Sequence, residues 1–326
     1  MKRVCIVGYG SIGPVHARAL SNIQGVELYG ICDINPVHLK RGLDSYNTRG
    51  FSNYKDVLAD PSIDYIHICT PHYLHYEMIC QALDAGKGVV TEKPITITEE
   101  QYRKLLMIEN IDKVCVILQN RYNPCVIKLK SIISTGQLGK ICGIKGIVTW
   151  CRTKDYYEKE AWRGKWETEG GGALINQSIH TLDLISYLAG NIESVSASMC
   201  NHSLKNVIEV EDTITAHLQI ENNVSGFLFA TNAYCSNSLP YIEVIFENGC
   251  ARYMDGQLWI NGVLTEEDQK PISGKSYWGT GHAALLKQYY EAGYYFSPAS
   301  IKNTMLSVFA AYKSATQGTA VIPVCE

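Results

Sequence analysis

Val4-Cys5-Ile6-Val7-Gly8-Tyr9-Gly10-Ser11-Ile12-Gly13 is the stretch whose reading decides the fold. Its apolar run reads as a buried strand, and the glycines that follow directly have the spacing of a tight turn opening a helix. In such a turn the first glycine permits the bend and the second lets the backbone approach a pyrophosphate. Unpaired N–H groups at the helix start then face that anion. Asp33 stands twenty residues after Gly13, at the end of the next apolar run. A carboxylate there accepts hydrogen bonds from ribose hydroxyls and repels a 2′-phosphate. The expectation is a Rossmann unit that takes NAD, rather than NADP, through Gly8, Tyr9, Gly10, Ser11, Ile12, Gly13 and Asp33.

Outward from this stretch, Glu27–Cys32, Tyr65–Cys69, Val89–Thr91 and Val114–Leu118 repeat the pattern of short apolar runs. Between them, 36–46, 54–59, 72–85 and 98–110 carry helical spacing, with a capping box at Thr98 and Gln101. That alternation specifies a parallel sheet with crossover helices. After a helix over 124–134 the pattern changes to longer runs at 141–152, 192–201, 213–220, 225–232, 241–246 and 250–253. Several of these alternate apolar with polar residues, which suits a mostly antiparallel sheet with one covered face. Helices are expected near 172–189, 280–296 and 298–317. The fold class is α/β in an N-terminal Rossmann domain, 1–120, and α+β in a C-terminal substrate and oligomerisation domain, 121–326. Tyr241, Val244 and Phe246 suggest an apolar outer face on the second sheet, hence a homodimer or homotetramer.

The chain has 326 residues, which favours two cores over one. A net charge of −3 without basic runs gives nucleic acid no field to bind, and no apolar segment approaches the length that spans a bilayer. The reading is a cytoplasmic protein. Its twelve cysteines include no C-x-x-C pair or other metal spacing. Cys5, Cys32, Cys69 and Cys115 read as small buried hydrophobes, and no metal is expected.

Three segments leave the carboxyl ends of parallel strands, where an open sheet binds its ligands. These are Cys69-Thr70-Pro71-His72-Tyr73-Leu74-His75, Glu92-Lys93-Pro94 and Gln119-Asn120-Arg121-Tyr122-Asn123-Pro124. A fourth, Gly170-Gly171-Gly172, leads into a helical run in which Asn176, His180, Asp183 and Tyr187 share one face by spacing. That polar stripe is short, and the glycines ahead of it let a ligand or another backbone come close.

With these motifs the chain resembles the glucose-fructose oxidoreductase, inositol dehydrogenase and MocA family over essentially its whole length. The resemblance rests on Gly8–Gly13 with His16, Asp33-Ile34-Asn35-Pro36, Thr70-Pro71-His72 with His75, Glu92-Lys93-Pro94, and Gly171-Gly172 through His180 and Asp183. It implies hydride transfer between NAD and a sugar or cyclitol carbon, an open-faced sheet used for oligomerisation, and Lys93 and His180 as the catalytic pair. Inositol dehydrogenases carry aspartate where this chain has Asn176, so inositol itself fits less well than sugars, glycosides or nucleotide sugars.

Oxidation of a secondary alcohol needs a base at its hydroxyl. An imidazole near ~6.5 needs little tuning for that task, whereas a lysine near ~10.4 must first be depressed. His180 is assigned as the base, with Lys93 orienting the hydroxyl and stabilising alkoxide charge or, alternatively, joining the proton relay. Asn176 completes the catalytic group. Cofactor contacts are further assigned to Thr70, Pro71, His75, Glu92, Lys93 and Asn120, and substrate contacts to Arg121, Trp162, Arg163, Asn176, Gln177 and His180. An NAD-dependent glycosidase and a noncatalytic NAD sensor remain as alternatives.

Overall fold

The computed structural model describes residues 1–269 and 279–323. The chain forms two compact units. One comprises Met1–Thr96, Glu100–Gln119 and Gly281–Ser300, the other Ile97–Glu99, Asn120–Thr280 and Ile301–Glu326.

The first unit is built on a parallel sheet of β1 (Lys2–Val7), β2 (Val26–Cys32), β3 (Arg49–Phe51), β4 (Tyr65–Ile68), β5 (Gly88–Thr91) and β6 (Val114–Val116). Their order is 3-2-1-4-5-6, that of a doubly wound dinucleotide-binding sheet. Val4, Cys5, Ile6, Ile66, Ile68, Val89 and Val90 are buried, as continuous apolar runs covered by helices on both faces require. Helices α1 (Gly13–Leu20), α2 (Pro36–Ser45), α3 (Tyr54–Ala59), α4 (His75–Asp84) and α5 (Glu99–Leu106) connect the strands. The short strand β3 has no signal of its own: Arg-Gly-Phe lacks a run of β-branched residues and is set by pairing with β2.

One segment departs from the division at residue 120. Gly281–Ser300 returns to the first unit, where Leu285, Leu286, Tyr289 and Tyr290 of its helix are buried, and Val116 N–H donates to Phe296 O at 2.9 Å. That helix has apolar spacing but no local feature naming the sheet it covers, so its destination is a tertiary choice.

The second unit carries β7 (Ile141–Thr149), β8 (Ile192–Cys200), β9 (Thr213–Ile220), β10 (Val224–Thr231), β11 (Tyr241–Phe246), β12 (Gly249–Met254), β13 (Gln257–Ile260) and β14 (Val263–Glu267). They form one sheet in the order 14-13-12-11-7-10-9-8, antiparallel except where β7 meets β10. Around it lie α6 (Pro124–Thr135), the short α7 (Lys154–Glu158) and α8 (Trp166–Glu169), α9 (Ile179–Ala189) and, after α10 (Gly281–Ala292) of the first unit, α11 (Lys302–Gln317). β13 and β14 have no clear signature in the sequence, because the Asp255-Gly256 and Asn261-Gly262 turns that reverse the chain there interrupt any apolar run.

The outer-face assignment needs correction. Ile242, Val244 and Phe246 are buried on the face that α9 covers, whereas Ile245 is 43% exposed. Strand periodicity is two, so Tyr241 cannot share a face with Val244. The outward row instead holds Phe227, 41% exposed, and Glu243, which pairs with Lys145 at 2.5 Å and Arg252 at 2.6 Å.

The cysteine reading holds for all four residues it named. Cys5, Cys32, Cys69 and Cys115 are free and buried, and burial pushes each thiol up, that of Cys32 to about 12. Among the described residues no helix is long and apolar enough to cross a membrane.

Candidate active site

Within the first unit the glycine loop shows why its residues are small. Gly8 has φ +92°, and a Cβ there would lie 2.6 Å from Cys69 O, so only glycine lets the turn close against the end of β4. At Gly10 a Cβ would meet nothing within 4 Å, which leaves the outer side of the loop open where a diphosphate fits. The Asp33 carboxylate, at the end of β2, accepts the N–H groups of Tyr9 at 2.6 Å and Asn35 at 2.8 Å, with His38 Nδ1 at 3.5 Å. The acid expected to read the ribose is thereby held against the loop. Arg41 of α2 donates to the carbonyls of Tyr9 and Gly10 and lies over the Tyr9 ring. In the sequence it looks like any basic residue on an exposed helix face.

Thr70 and Pro71 follow β4 half-buried, and Lys93, also half-buried, follows β5 and forms a cis peptide with Pro94. His75 is 1% exposed, with Nδ1 2.7 Å from Pro94 O and Nε2 2.8 Å from Thr70 O. Burial pushes this imidazole down, against the pull of the two carbonyls. His75 thus lies between the Lys93-Pro94 turn and the Thr70-Pro71 loop, its ring nitrogens facing the two carbonyls rather than a cofactor. Glu92 is likewise turned inward: its Oε1 lies 3.1 Å from His16 Nε2 and 3.3 Å from His282 Nε2.

Within the second unit, the helix after the triple glycine is not regular. Ala173–Ser178 is a π-helical turn, and α9 begins only at Ile179. Every N–H at its start has a partner. Gly172 and Leu174 donate to the Glu211 carboxylate at 2.9 and 2.8 Å, Ala173 to Glu211 O at 3.2 Å, and Ile175 to the Tyr312 hydroxyl at 3.2 Å. That hydroxyl donates in turn to Glu211 Oε1 at 2.9 Å. A Cβ at Gly171 would strike Tyr312 Oη, and one at Gly172 would strike Glu211 O. The glycines make room for this clamp, which is the second of the two reasons their presence suggested. Asn176 and His180 are half-buried on this helix, and Asn176 Nδ2 donates to Glu169 Oε1, whose other oxygen accepts Gly164 N–H.

The rest of the polar stripe is internal. Asp183 is 1% exposed and accepts Arg121 Nε at 2.8 Å and Nη2 at 2.5 Å, with Thr304 Oγ1 at 2.8 Å. Arg121 also covers the Tyr187 ring at 4.6 Å. Its expected role in substrate binding gives way to a buried ion pair that anchors α9. Removing one partner of such a pair typically costs ~3–5 kcal/mol. Asn120, expected at the cofactor, falls in the second unit, and its buried Oδ1 has no hydrogen-bond partner among the described residues. Arg163 lies 5.0 Å from the Trp162 ring and 4.3 Å from that of Tyr156, while Arg152 covers Tyr156 at 4.9 Å and Gln177 Nε2 donates to the Tyr156 hydroxyl at 3.1 Å.

Two family models match the chain: the oxidoreductase family with an NAD-binding Rossmann fold over residues 2–121, and the GFO/IDH/MocA C-terminal domain over 126–252. The chain belongs to this family. It is 31% identical to a glucose-6-phosphate 3-dehydrogenase of Bacillus subtilis over 72% of its own length and 69% of that protein. An uncharacterised oxidoreductase of the same organism is 29% identical, the match taking in 68% of this chain and 65% of the other. Among solved structures, the WlbA dehydrogenase of Bordetella pertussis, in complex with NADH and UDP-GlcNAcA, superposes with a TM-score of 0.85 and 28% identity over 100% of this chain and 99% of that one. This Gfo/Idh/MocA chain is accordingly an NAD-dependent oxidoreductase.

Sequence reasoning did not find Glu169, Glu211, Tyr312, Tyr156 or Arg152. For Glu169 a signal existed, since an acid directly before three glycines that end up buried has to meet a donor. Glu211 and Tyr312 are brought to the helix start only by the fold.

Glu211 carries a pH prediction. Burial pushes its carboxyl from 4.5 up to about 7, against the pull of the Leu174 and Gly172 N–H groups and Tyr312. Between pH 4.5 and 7 the unfolded chain ionises there while the folded one keeps its proton. Stability is therefore full below 4.5 and falls as pH rises through this window, by up to about 3 kcal/mol. Urea unfolding at pH 5 and pH 8 checks it: the Glu211→Gln variant lacks this share of the difference, and parallel losses in both proteins contradict it.

Proposed function

We propose that the chain transfers hydride between NAD and a secondary alcohol carbon of a sugar, glycoside, nucleotide sugar or cyclitol. The observation that carries this reading is the helix held by Glu211 and Tyr312, which presents His180 and Asn176 together, with Glu169 accepting from Asn176. NAD supplies the hydride acceptor. His180 takes the hydroxyl proton, Lys93 orients that hydroxyl and stabilises its developing charge, and Asn176 hydrogen-bonds the substrate. Where inositol dehydrogenases carry a carboxylate, this chain has an amide whose N–H is taken by the Glu169 carboxylate. An amide can both donate to and accept from a sugar hydroxyl.

Cofactor contacts are assigned to Gly8–Gly13, Asp33, Thr70, Pro71 and Asn120, and Asp33 underlies the choice of NAD over NADP. Arg152 and Arg163, stacked on Tyr156 beside Gln177, favour a substrate that carries negative charge. Gln177 Oε1, buried and without a hydrogen-bond partner among the described residues, is a ready acceptor for a hydroxyl. A glucose-6-phosphate 3-dehydrogenase and a dehydrogenase bound to UDP-GlcNAcA are relatives consistent with that class, whereas a levoglucosan dehydrogenase and inositol 2-dehydrogenases are relatives named for uncharged compounds.

The test is a panel of glucose, glucose 6-phosphate, UDP-GlcNAcA, a methyl glycoside and inositol, each with NAD and purified protein. NADH formation is expected, with an anionic sugar turned over best. No turnover by any member, with NAD bound, would favour the sensor reading.

We further place the protein in the cytoplasm, in keeping with its free thiols. It pairs through the outer face of the second sheet, where Phe227 and Ile245 flank the Lys145–Glu243–Arg252 ion pairs. Light scattering at micromolar concentration is expected to return a dimer or tetramer, and a monomer contradicts this.

A further inference from the structure

Inside the first unit lies a chain of polar side chains that the proposed reaction does not use. Tyr290 Oη is 2.8 Å from His67 Nε2, His67 Nδ1 is 2.8 Å from His16 Nδ1, His16 Nε2 is 3.1 Å from Glu92 Oε1, and His282 Nε2 reaches the same oxygen at 3.3 Å. The second oxygen, Oε2, accepts the main-chain N–H of Lys93 at 3.3 Å. All five side chains are buried, and His16 and His67 have no exposed surface.

The proton count closes with three neutral imidazoles and an ionised carboxylate. Tyr290 donates to His67, His67 Nδ1–H to His16 Nδ1, and the Nε2–H groups of His16 and His282 to Glu92. Burial works to raise the Glu92 carboxyl, but hydrogen bonds from His16 and His282 outweigh it and hold the group well below the usual carboxylate range. Burial pushes His67 and His282 down, which keeps them neutral.

His16, Glu92 and His282 also present three donor atoms within 4.8 Å of one another, the residue types of a metal site. Each donor is already satisfied within the chain just described, and the group is shut away from water, so hydrogen bonding accounts for it without an ion.

The elements joined are informative. His16 sits on α1, the helix that the glycine loop opens; His67 is on β4; Glu92 leads from β5 directly into Lys93; His282 and Tyr290 come from α10, contributed by the far end of the chain. Burying a carboxylate with two imidazoles is costly unless every partner is kept. A tie of that kind fixes the backbone from which the Lys93 side chain springs, relative to the helix that receives the cofactor's diphosphate.

We propose that Glu92, together with His16 and His282, is the positioning device for Lys93: one buried carboxylate locks the lysine's main chain to the diphosphate-binding helix. This rests on the reading of Lys93 as a catalytic residue. The consequence is a split between turnover and binding, because the glycine loop and Asp33 are left intact while the lysine loses its fixed origin.

The experiment uses the full chain with NAD and the panel sugar that gives fastest NADH formation. Four variants are compared: Glu92→Gln, His282→Leu, His282→Gln, which keeps a donor near the position of Nε2, and Lys93→Met. Glu92→Gln and His282→Leu are expected to lower kcat at least ~10-fold with the Kd for NAD within about twofold of native, while His282→Gln retains most of kcat. Melting temperature is recorded for each. The proposal is overturned if His282→Leu folds and keeps native kcat, if NAD affinity falls in step with kcat, or if His282→Gln fails as badly as His282→Leu. It is also overturned if the purified chain holds a stoichiometric divalent ion that Glu92→Gln loses. Should Lys93→Met itself keep native turnover, the catalytic reading of Lys93 is what fails.

Discussion

Replacing Lys93 by methionine lowers turnover at least ~100-fold and leaves NAD affinity close to native. Methionine has nearly the length of lysine and packs in similar space, so the change removes an amine and little else. The turn that carries it is held by other groups: Glu92 Oε2 on the Lys93 N–H, and His75 between the Pro94 and Thr70 carbonyls. The proposed cofactor contacts lie on other residues, chiefly the glycine loop and the Asp33 carboxylate. What is lost is a charge-bearing donor at the substrate hydroxyl, an interaction that strengthens as alkoxide character develops. Steady-state kinetics and an NAD titration separate the two quantities. Near-native turnover in this variant removes Lys93 from the mechanism.

The second large effect belongs to His180. Replacement by asparagine keeps a hydrogen-bonding side chain of similar reach but takes away the group that accepts the proton. General-base contributions of ~10²–10⁴-fold set the expected loss. An imidazole serves as base only when neutral, so native turnover for alcohol oxidation rises with pH through its titration and then levels off. Positive charge on the oxidised cofactor favours the neutral imidazole. Asp183, by contrast, is already neutralised by its ion pair with Arg121. The variant is expected to lose the acidic limb of the pH profile along with the rate. If it retains both, the base lies elsewhere and Lys93 becomes the leading candidate.

Much of this was readable from residues alone because it is local. The strand, glycine turn and acid of the expected nucleotide site occupy one short stretch, and apolar runs of three to six residues with intervening helical spacing leave few topologies open. The second sheet's strands were visible for the same reason, except where β13 and β14 are cut by turns. Faces were harder: Val244 and Phe246 are as apolar as an interface residue, and only register shows that α9 covers them. The polar helix was found, but its α-helical spacing implied a continuous stripe. The π-helical turn and the burial of Asp183 against Arg121 divide that stripe into a half-buried pair and an anchor. What could not be read at all comes from far along the chain: Glu211 and Tyr312 at the helix start, Asp183 for Arg121, and His282 for Glu92. Such pairings depend on three-dimensional return of the chain, which leaves no periodic trace in it.

In the proposed reaction hydrogen moves from a sugar carbon to the cofactor and stays there. Incubating the protein and NAD with the preferred panel sugar, deuterated at its ring CH–OH positions, tests it by mass spectrometry of the nucleotide product. NADH carrying one deuterium is expected, formed in equal amount to the keto product. Release of an aglycone or leaving group with no net labelled NADH would contradict it and assign the chain to the transient-oxidation chemistry of a glycosidase.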